Sequence, residues 1–286
     1  MLKIIFYIKR NAAAAVMLLF SMFILIPLWM EISGSFMGSN EITRNLSPAL
    51  SDAKGYVFWP IIPQYPTLRP YIELLFDSPA FFKMFWNSCG QVFPILAGQL
   101  VIAVPAAWAF AKMDFPLKKI LFTIYIVLMI MPFQVTMVSS YLVLDRLKLL
   151  NSCYGVILPA VFSTFPVFIV VKFFSSIPLA ITEAAQIDGA SEWQIFMKIG
   201  VPLGKSGIMS AIVLGFLENW NAIEPSLTFL SDKSKWPLSL YLPNISTDNL
   251  GVSLVASVIM MAPALLIFLC GQSYLEDGIR ASGIKE

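Results

Sequence analysis

The chain has 286 residues, of which 58% are apolar and 13% are charged; its net charge is +2 and its mean hydropathy is +0.78. Soluble globular chains carry about 25% charged residues, so this composition excludes a lone soluble domain and indicates that lipid solvates most of the surface. The sequence contains no histidine, which excludes HExxH-type metal sites and removes the usual general base of an intramembrane enzyme.

Six apolar runs are long enough to cross a bilayer as helices, which takes about 20 mostly apolar residues. The runs are continuous rather than alternating, which favours helices over transmembrane strands. The fifth run is the weakest, because Glu218, Asn219 and Asn221 interrupt its end. The sequence therefore predicts an all-α membrane protein that forms a single transmembrane domain over residues 1–286. Its six predicted spans are residues 12–30, 84–111, 120–138, 154–174, 207–221 and 250–274.

Basic residues predict the orientation, because cytoplasmic loops carry an excess of lysine and arginine. Lys3, Lys9 and Arg10 precede the first run, which is longer than the about 7–15 apolar residues of a cleaved signal, so we expect a retained anchor. Placing both termini in the cytoplasm assigns eleven of the 19 lysines and arginines to that side, in the shorter segments. Residues 31–83 then form a long external loop, and residues 175–206 form a cytoplasmic loop.

The predicted cytoplasmic loop has the pattern of two short helices. Residues 179–188 are mostly good helix formers, and Gly189 supplies the left-handed residue that commonly ends a helix. Ser191 and Gln194 match the S-x-x-Q capping box of a second helix, which we expect Pro202 to end. This helix is expected to have one apolar face, formed by Trp193, Phe196 and Met197. Such a pair either lies on the membrane surface or docks into a groove of a cytoplasmic partner.

One stretch of this loop matches a known pattern. Residues 183–190 read EAAQIDGA, and Ile199 and the stretch VPL at 201–203 follow. This resembles the EAA loop of ABC importer permeases, which has the form E-A-A-x-x-x-G followed by I-x-L-P. Further stretches, from about Thr67 to the C-terminus, are similar to the MalG-type permease subunit of carbohydrate importers. Among them are Asn87-Ser88, the stretch AAWAFAK at 106–112, LLNS at 149–152, and Trp220-Asn221.

The resemblance implies a type I ABC importer permease fold in the bacterial inner membrane. It implies that a coupling helix in the loop sits in a groove of a separate ATPase and converts nucleotide-driven closure into rocking of the membrane helices. The residues matched to that helix are Glu183, Ala184, Ala185, Asp188 and Gly189. This chain would bind no cofactor, since ATP and magnesium would belong to the ATPase dimer.

Other partners follow from the same resemblance. A second permease subunit of MalF type would complete the pathway, and an extracytoplasmic binding protein would deliver a sugar or oligosaccharide. No nucleic acid is implied, in keeping with the small net charge. The EAA loop concerns only the ATPase, so a permease for another solute, such as a peptide or polyamine, is the alternative.

Candidate pathway residues carry groups that bond sugar hydroxyls or stack on sugar rings. They are Gln99, Gln134, Glu218, Trp220 and Asn221. An unpaired acid in a bilayer costs on the order of 2.5–3.5 kcal/mol, so Glu218 either faces a wet cavity or lies at the membrane interface in water. The chain departs from the family at Glu224, where tryptophan is common.

Overall fold

The computed structural model describes residues 2–50, 56–241 and 250–283. Within these ranges the chain is almost entirely helical, and its only β-type pairing is an isolated bridge between Met37 and Pro66. The all-α fold class predicted from the sequence is therefore confirmed for the described residues.

The α-helices vary in length from 34 residues to a single turn. Their bounds are α1 Leu2–Ser35, α2 Ser39–Leu50, α3 Arg69–Asp77, α4 Pro79–Lys112, α5 Lys118–Ile130, α6 Phe133–Arg146, α7 Cys153–Val161, α8 Phe165–Ser176, α9 Leu179–Ile187, α10 Glu192–Ile195, α11 Val201–Leu203, α12 Lys205–Trp220, α13 Glu224–Phe229 and α14 Leu250–Gly283. A π-helical turn, Phe196–Gly200, joins α10 to α11. Two 3-10 turns, Lys233–Lys235 and Leu238–Leu240, follow α13.

Several of these helices are long and apolar enough to cross a membrane. In the described residues four segments meet this test singly, and the number rises to six if each of two bent helix pairs is one span. The four are Ala14–Ser35, Pro79–Lys112, Cys153–Ser176 and Leu250–Glu276. The bent pairs are Lys118–Ile130 with Phe133–Arg146, and Glu192–Leu203 with Lys205–Trp220.

The apolar run 120–138, expected as one span, is broken in the structure. The axes of α5 and α6 differ by 102°. Pro132 accounts for the break, because proline lacks the N–H that a continuing helix needs and disfavours helical backbone at the residue before it. Met131 accordingly has an extended backbone, with φ −67° and ψ 122°. Hydropathy does not reveal this bend, because the residues on both sides of it are apolar.

The chain divides into two compact units, of which the first comprises Met1–Phe81 and Leu242–Met261. The loop expected over residues 31–83 includes helices α2 and α3. Two indoles tie its non-helical part to α1. The Trp29 Nε1 donates to the Ile61 carbonyl at 2.9 Å, and the Trp59 Nε1 donates to the Ser33 hydroxyl at 3.2 Å. Residues 59–61 are thereby held along the end of α1.

The second unit comprises Phe82–Tyr241 and Ala262–Glu286. Its core is formed by apolar side chains of α4, α8, α10 and α12. Glycines let these helices approach closely, as is common between membrane helices. A Cβ atom added to Gly207 would lie 2.4 Å from the Phe173 ring, and one added to Gly204 would lie 2.2 Å from the Phe174 ring.

We expect Gly204→Ala to destabilise the second unit, because the Phe174 ring that its methyl group would meet is fully buried. Overpacking of this kind costs about 1–3 kcal/mol, so the apparent melting temperature of the detergent-solubilised chain should fall. Gly90→Ala is the matched control, since nothing lies within 4 Å of its Cβ position. That variant should melt at or above the wild-type temperature, and equal melting of all three proteins would contradict the close packing.

Candidate functional site

Helix α9 ends as the sequence predicts. Gly189 has a φ of +82°, and its N–H donates to the Gln186 carbonyl at 3.0 Å. This left-handed backbone strains any residue with a Cβ atom, which explains the glycine. Nothing lies within 4 Å of the position where its Cβ atom would stand. The chain itself therefore leaves open space beside Gly189.

The predicted capping box of α10 is also confirmed. The Ser191 hydroxyl accepts from the Gln194 N–H at 3.3 Å, and the Gln194 Oε1 accepts from the Ser191 N–H at 2.9 Å.

The expectation that Pro202 ends this helix is wrong. The helical path continues through Pro202 to Leu203, and the 68° bend follows at Gly204.

The π-helical turn accounts for the continuation through Pro202. In an α-helix the proline ring collides with the carbonyl four residues earlier. The wider π-helical turn, Phe196–Gly200, precedes Pro202, and in it the Val201 N–H donates to the Phe196 carbonyl five residues back. Pro202 itself lies in the first turn of α11, where its missing N–H is not needed.

The segment 179–203 exposes most of the residues matched to the coupling helix. Four of the five are exposed: Glu183, Ala184, Asp188 and Gly189. Ala185 is half-buried and packs against the core. Two large apolar side chains are also open to solvent, with Ile187 87% exposed and Trp193 65% exposed. Exposed apolar groups beside acidic ones form a surface suited to docking another protein.

An aromatic junction attaches this segment to the helices that cross the membrane. The Trp108 ring of α4 lies 5.2 Å from the Phe174 ring of α8 and 5.8 Å from the Phe196 ring, centroid to centroid. All three rings are buried. Gly200 lies directly against Trp108, since an added Cβ atom would stand 2.5 Å from the indole. The apolar face expected on the second helix is thus buried only at Phe196, whereas Trp193 and Met197 are exposed.

Two of the predicted pathway residues are engaged in packing within the chain. The buried Gln99 side chain donates from Nε2 to the Ala160 carbonyl at 2.9 Å. The Trp220 ring is 3% exposed, stacks on Phe216 at 5.2 Å and meets the edge of Phe85 at 5.9 Å. Hydropathy and residue type cannot distinguish such packed groups from groups that line a pathway.

The other predicted pathway residues are exposed. The Gln134 Nε2 donates to the Glu224 Oε1 at 2.5 Å, which brings together two residues 90 positions apart. Glu218 lies on the surface of α12, and the Asn221 Nδ2 donates to the Leu217 carbonyl at 2.8 Å. The sequence marks Glu224 only as a departure from the family pattern. Its partner could not be found from the sequence, because the contact depends on the bend between α5 and α6.

The comparisons with known proteins agree with one another. The family model described as "Binding-protein-dependent transport system inner membrane component" matches residues 99–281. A probable ABC transporter permease protein of Pyrococcus horikoshii is 33% identical over 78% of this chain and 83% of its own length. The arabinooligosaccharides transport system permease protein AraQ of Bacillus subtilis is 27% identical over 98% of this chain and 97% of its own length.

A solved structure shares the fold. It is the crystal structure of a bacterial ABC transporter involved in the import of the acidic polysaccharide alginate. One of its chains matches with a TM-score of 0.79 at 22% identity, covering 94% of this chain and 96% of that chain. The permease fold expected from the sequence is confirmed by this match.

We expect Trp108→Ala to loosen the segment 179–203, because truncating a buried tryptophan costs about 3–5 kcal/mol. Amide hydrogen exchange of peptides from this segment should become faster, as measured by mass spectrometry. Trp86→Ala removes the same side chain from an exposed site near the other end of α4 and should leave that exchange unchanged. Equal exchange in both variants would contradict the anchoring role of Trp108.

Proposed function

The chain belongs to the family of binding-protein-dependent transport system inner membrane components and is a multi-pass ABC transporter permease; we propose that it imports a sugar or oligosaccharide. The observation that supports a carbohydrate cargo is the similarity to AraQ, which extends over nearly the whole of both chains. The name of AraQ gives arabinooligosaccharides as its cargo. The structural neighbour is involved in the import of alginate, another carbohydrate.

The segment 179–203 is proposed to dock into a groove of a separate ATPase, which holds ATP and magnesium. Its exposed residues Glu183, Asp188 and Gly189, together with Ile187 and Trp193, offer the surface for this contact. A docked segment transmits movement only if it is firmly attached to the membrane helices. The buried aromatic junction meets that requirement.

The arrangement around α4 supports the predicted orientation. Trp108, near one end of α4, contacts the segment 179–203. Asn87, near the other end, donates to two carbonyls of the loop formed by residues 222–241. The two loops therefore lie at opposite ends of a spanning helix. We propose that the 222–241 loop faces outward, toward a solute-binding protein, and that both termini are cytoplasmic in a bacterial inner membrane.

Each partner can be tested by purifying the tagged chain from its own membranes in mild detergent and identifying the co-purified proteins by mass spectrometry. We expect an ATPase and a second, MalF-type permease subunit. Recovery of the chain alone, across several detergents and with cross-linking before solubilisation, would contradict the subunit assignment.

Cargo needs a separate test, because an importer of peptides or polyamines would share the ATPase-facing segment. In the reconstituted transporter, the cognate binding protein should stimulate ATP hydrolysis when loaded with an oligosaccharide. Loading with peptides or polyamines should give no stimulation. Stimulation by those solutes alone would overturn the carbohydrate proposal and leave the importer assignment intact.

We expect Gly189→Asp to insert normally and to uncouple transport, because the left-handed backbone and the close approach of the ATPase would both be lost. Uptake and stimulated ATP hydrolysis should fall to near background while the membrane yield stays unchanged. Gly189→Ala separates the two causes, since its Cβ atom strains the left-handed backbone but its methyl group fits the open space beside position 189; higher uptake by this variant than by Gly189→Asp would assign the difference to the lost close approach. Full uptake by Gly189→Asp would count against the docking assignment.

A further inference from the structure

Polar side chains near one end of α4 hold the main chain of the 222–241 loop. The Asn87 Nδ2 donates to the carbonyls of Ser234, at 2.9 Å, and Trp236, at 3.0 Å. The Gln91 Nε2 donates to the Lys235 carbonyl at 3.1 Å. Three consecutive carbonyls of the loop are therefore bonded to one helix.

The face of α4 that carries these amides contributes a fourth hydrogen bond to the loop main chain. The Ser88 hydroxyl accepts from the Leu238 N–H at 2.7 Å. Ser88 and Gln91 are buried, with Gln91 only 3% exposed. Residues 87, 88 and 91 lie on the same side of a helix. Four of these hydrogen bonds go to the loop main chain, and the Gln91 Oε1 also accepts from the buried Ser226 hydroxyl at 3.5 Å. None of them involves an exposed side chain of the loop, so α4 holds the path of the loop whatever those exposed side chains are.

Asn151, in the turn between α6 and α7, holds the same loop from another side. Its N–H donates to the Phe229 carbonyl at 2.8 Å, and its Oδ1 accepts from the Asp232 N–H at 3.0 Å. Its carbonyl accepts from the Lys235 Nζ at 2.6 Å. A hydrogen bond from the Ser234 N–H lowers the pKa of the Asp232 carboxyl below its ordinary value. The bonds from Asn151, and the bond between Asp232 and Ser234 within the loop, therefore fix the loop in addition to its bonds to α4.

The same helix carries the contacts of the segment 179–203 at its other end. Trp108 forms the aromatic junction, and the Lys112 Nζ donates to the Ile177 carbonyl just beyond α8. Gln91 and Trp108 are 17 residues apart, and at 1.5 Å per residue this separation is about 26 Å. One helix therefore spans the distance between two firmly held loops.

We propose that Asn87 and Gln91 are positioning residues that make the 222–241 loop move together with α4. Through them the helix couples the loop that faces the solute-binding protein to the segment that faces the ATPase. This inference rests on the proposed function, because it assigns a partner to each loop. The side chains act through the loop main chain and need not touch the solute.

The coupling can be measured on the complete transporter, reconstituted with its ATPase and binding protein. ATP hydrolysis is followed against the binding-protein concentration for Asn87→Ala, Gln91→Ala and the double variant. Basal hydrolysis without binding protein should stay at the wild-type level. The maximal stimulation should fall by about fivefold per lost hydrogen bond, since one such bond is worth roughly 1 kcal/mol.

The way the parameters change separates coupling from other causes. A rise in the half-saturating binding-protein concentration alone would mean that the amides serve only docking, which would overturn the proposal. A parallel loss of membrane yield and basal hydrolysis would mean a folding defect, which would also overturn the proposal. Asn219→Ala is the matched control, because within the described residues the Asn219 Nδ2 bonds to the Gly215 carbonyl of its own helix, at 2.8 Å, and not to the 222–241 loop. It should leave stimulation unchanged.

A second measurement does not depend on transport. A nitroxide label on Ser231→Cys, in a chain whose cysteines Cys89, Cys153 and Cys270 are replaced by alanine, reports loop motion by electron paramagnetic resonance. Ser231 is exposed and can be labelled. The spectrum should be immobilised with the amides present and mobile in the Asn87→Ala, Gln91→Ala double variant. Identical spectra would overturn the proposal, whereas absence of stimulation in wild-type transporter would instead refute the proposed function.

Discussion

The contact between Trp108 and Gly200 is the constraint on which the position of the segment 179–203 depends. The indole fills the space that a side chain at position 200 would need, and it also meets the rings of Phe174 and Phe196. Three helical elements therefore meet at one buried ring. A segment that is otherwise exposed gains a fixed position relative to α4 and α8, which is what a docking surface requires if force is to pass through it.

Close packing has this importance because lipid is the main solvent of the chain. In a bilayer no hydrophobic force draws apolar helices together, so they associate through van der Waals contact and hydrogen bonds. The structure uses small residues accordingly: Gly98 lies against Val161, Gly207 against Phe173 and Gly271 against Val213. The low charge content that excludes a soluble domain thus also explains why glycines lie at the helix crossings.

Local signals in the sequence were sufficient to predict the parts of the site that depend on neighbouring residues. Gly189 and the Ser191–Gln194 capping box were predicted because the backbone within a few residues determines them. The helix end expected at Pro202 was wrong, and the packing of Trp220 was not predicted, because both depend on contacts that local sequence does not show. The π-helical turn carries the helix past Pro202, and Trp220 packs between Phe85 and Phe216. The composition predicted the helical class, but hydropathy could not reveal the bend at Pro132.

The two ends of α4 differ in the kind of contact they make, and the difference has a mechanical consequence. Near Trp108 the contacts with the segment 179–203 are of the Trp108 ring with Phe196 and Gly200, which allow small rotations while they keep the surfaces together; the hydrogen bond at this end, from Lys112, goes to Ile177 outside that segment. Near Asn87 and Gln91 they are hydrogen bonds to successive carbonyls, which break if the loop slides. A tilt of about 5° over the roughly 26 Å between these contacts displaces one end by about 2 Å. Such a displacement exceeds the range over which a hydrogen bond persists. The loop must therefore either follow α4 or detach from it, and three bonds to its main chain favour following.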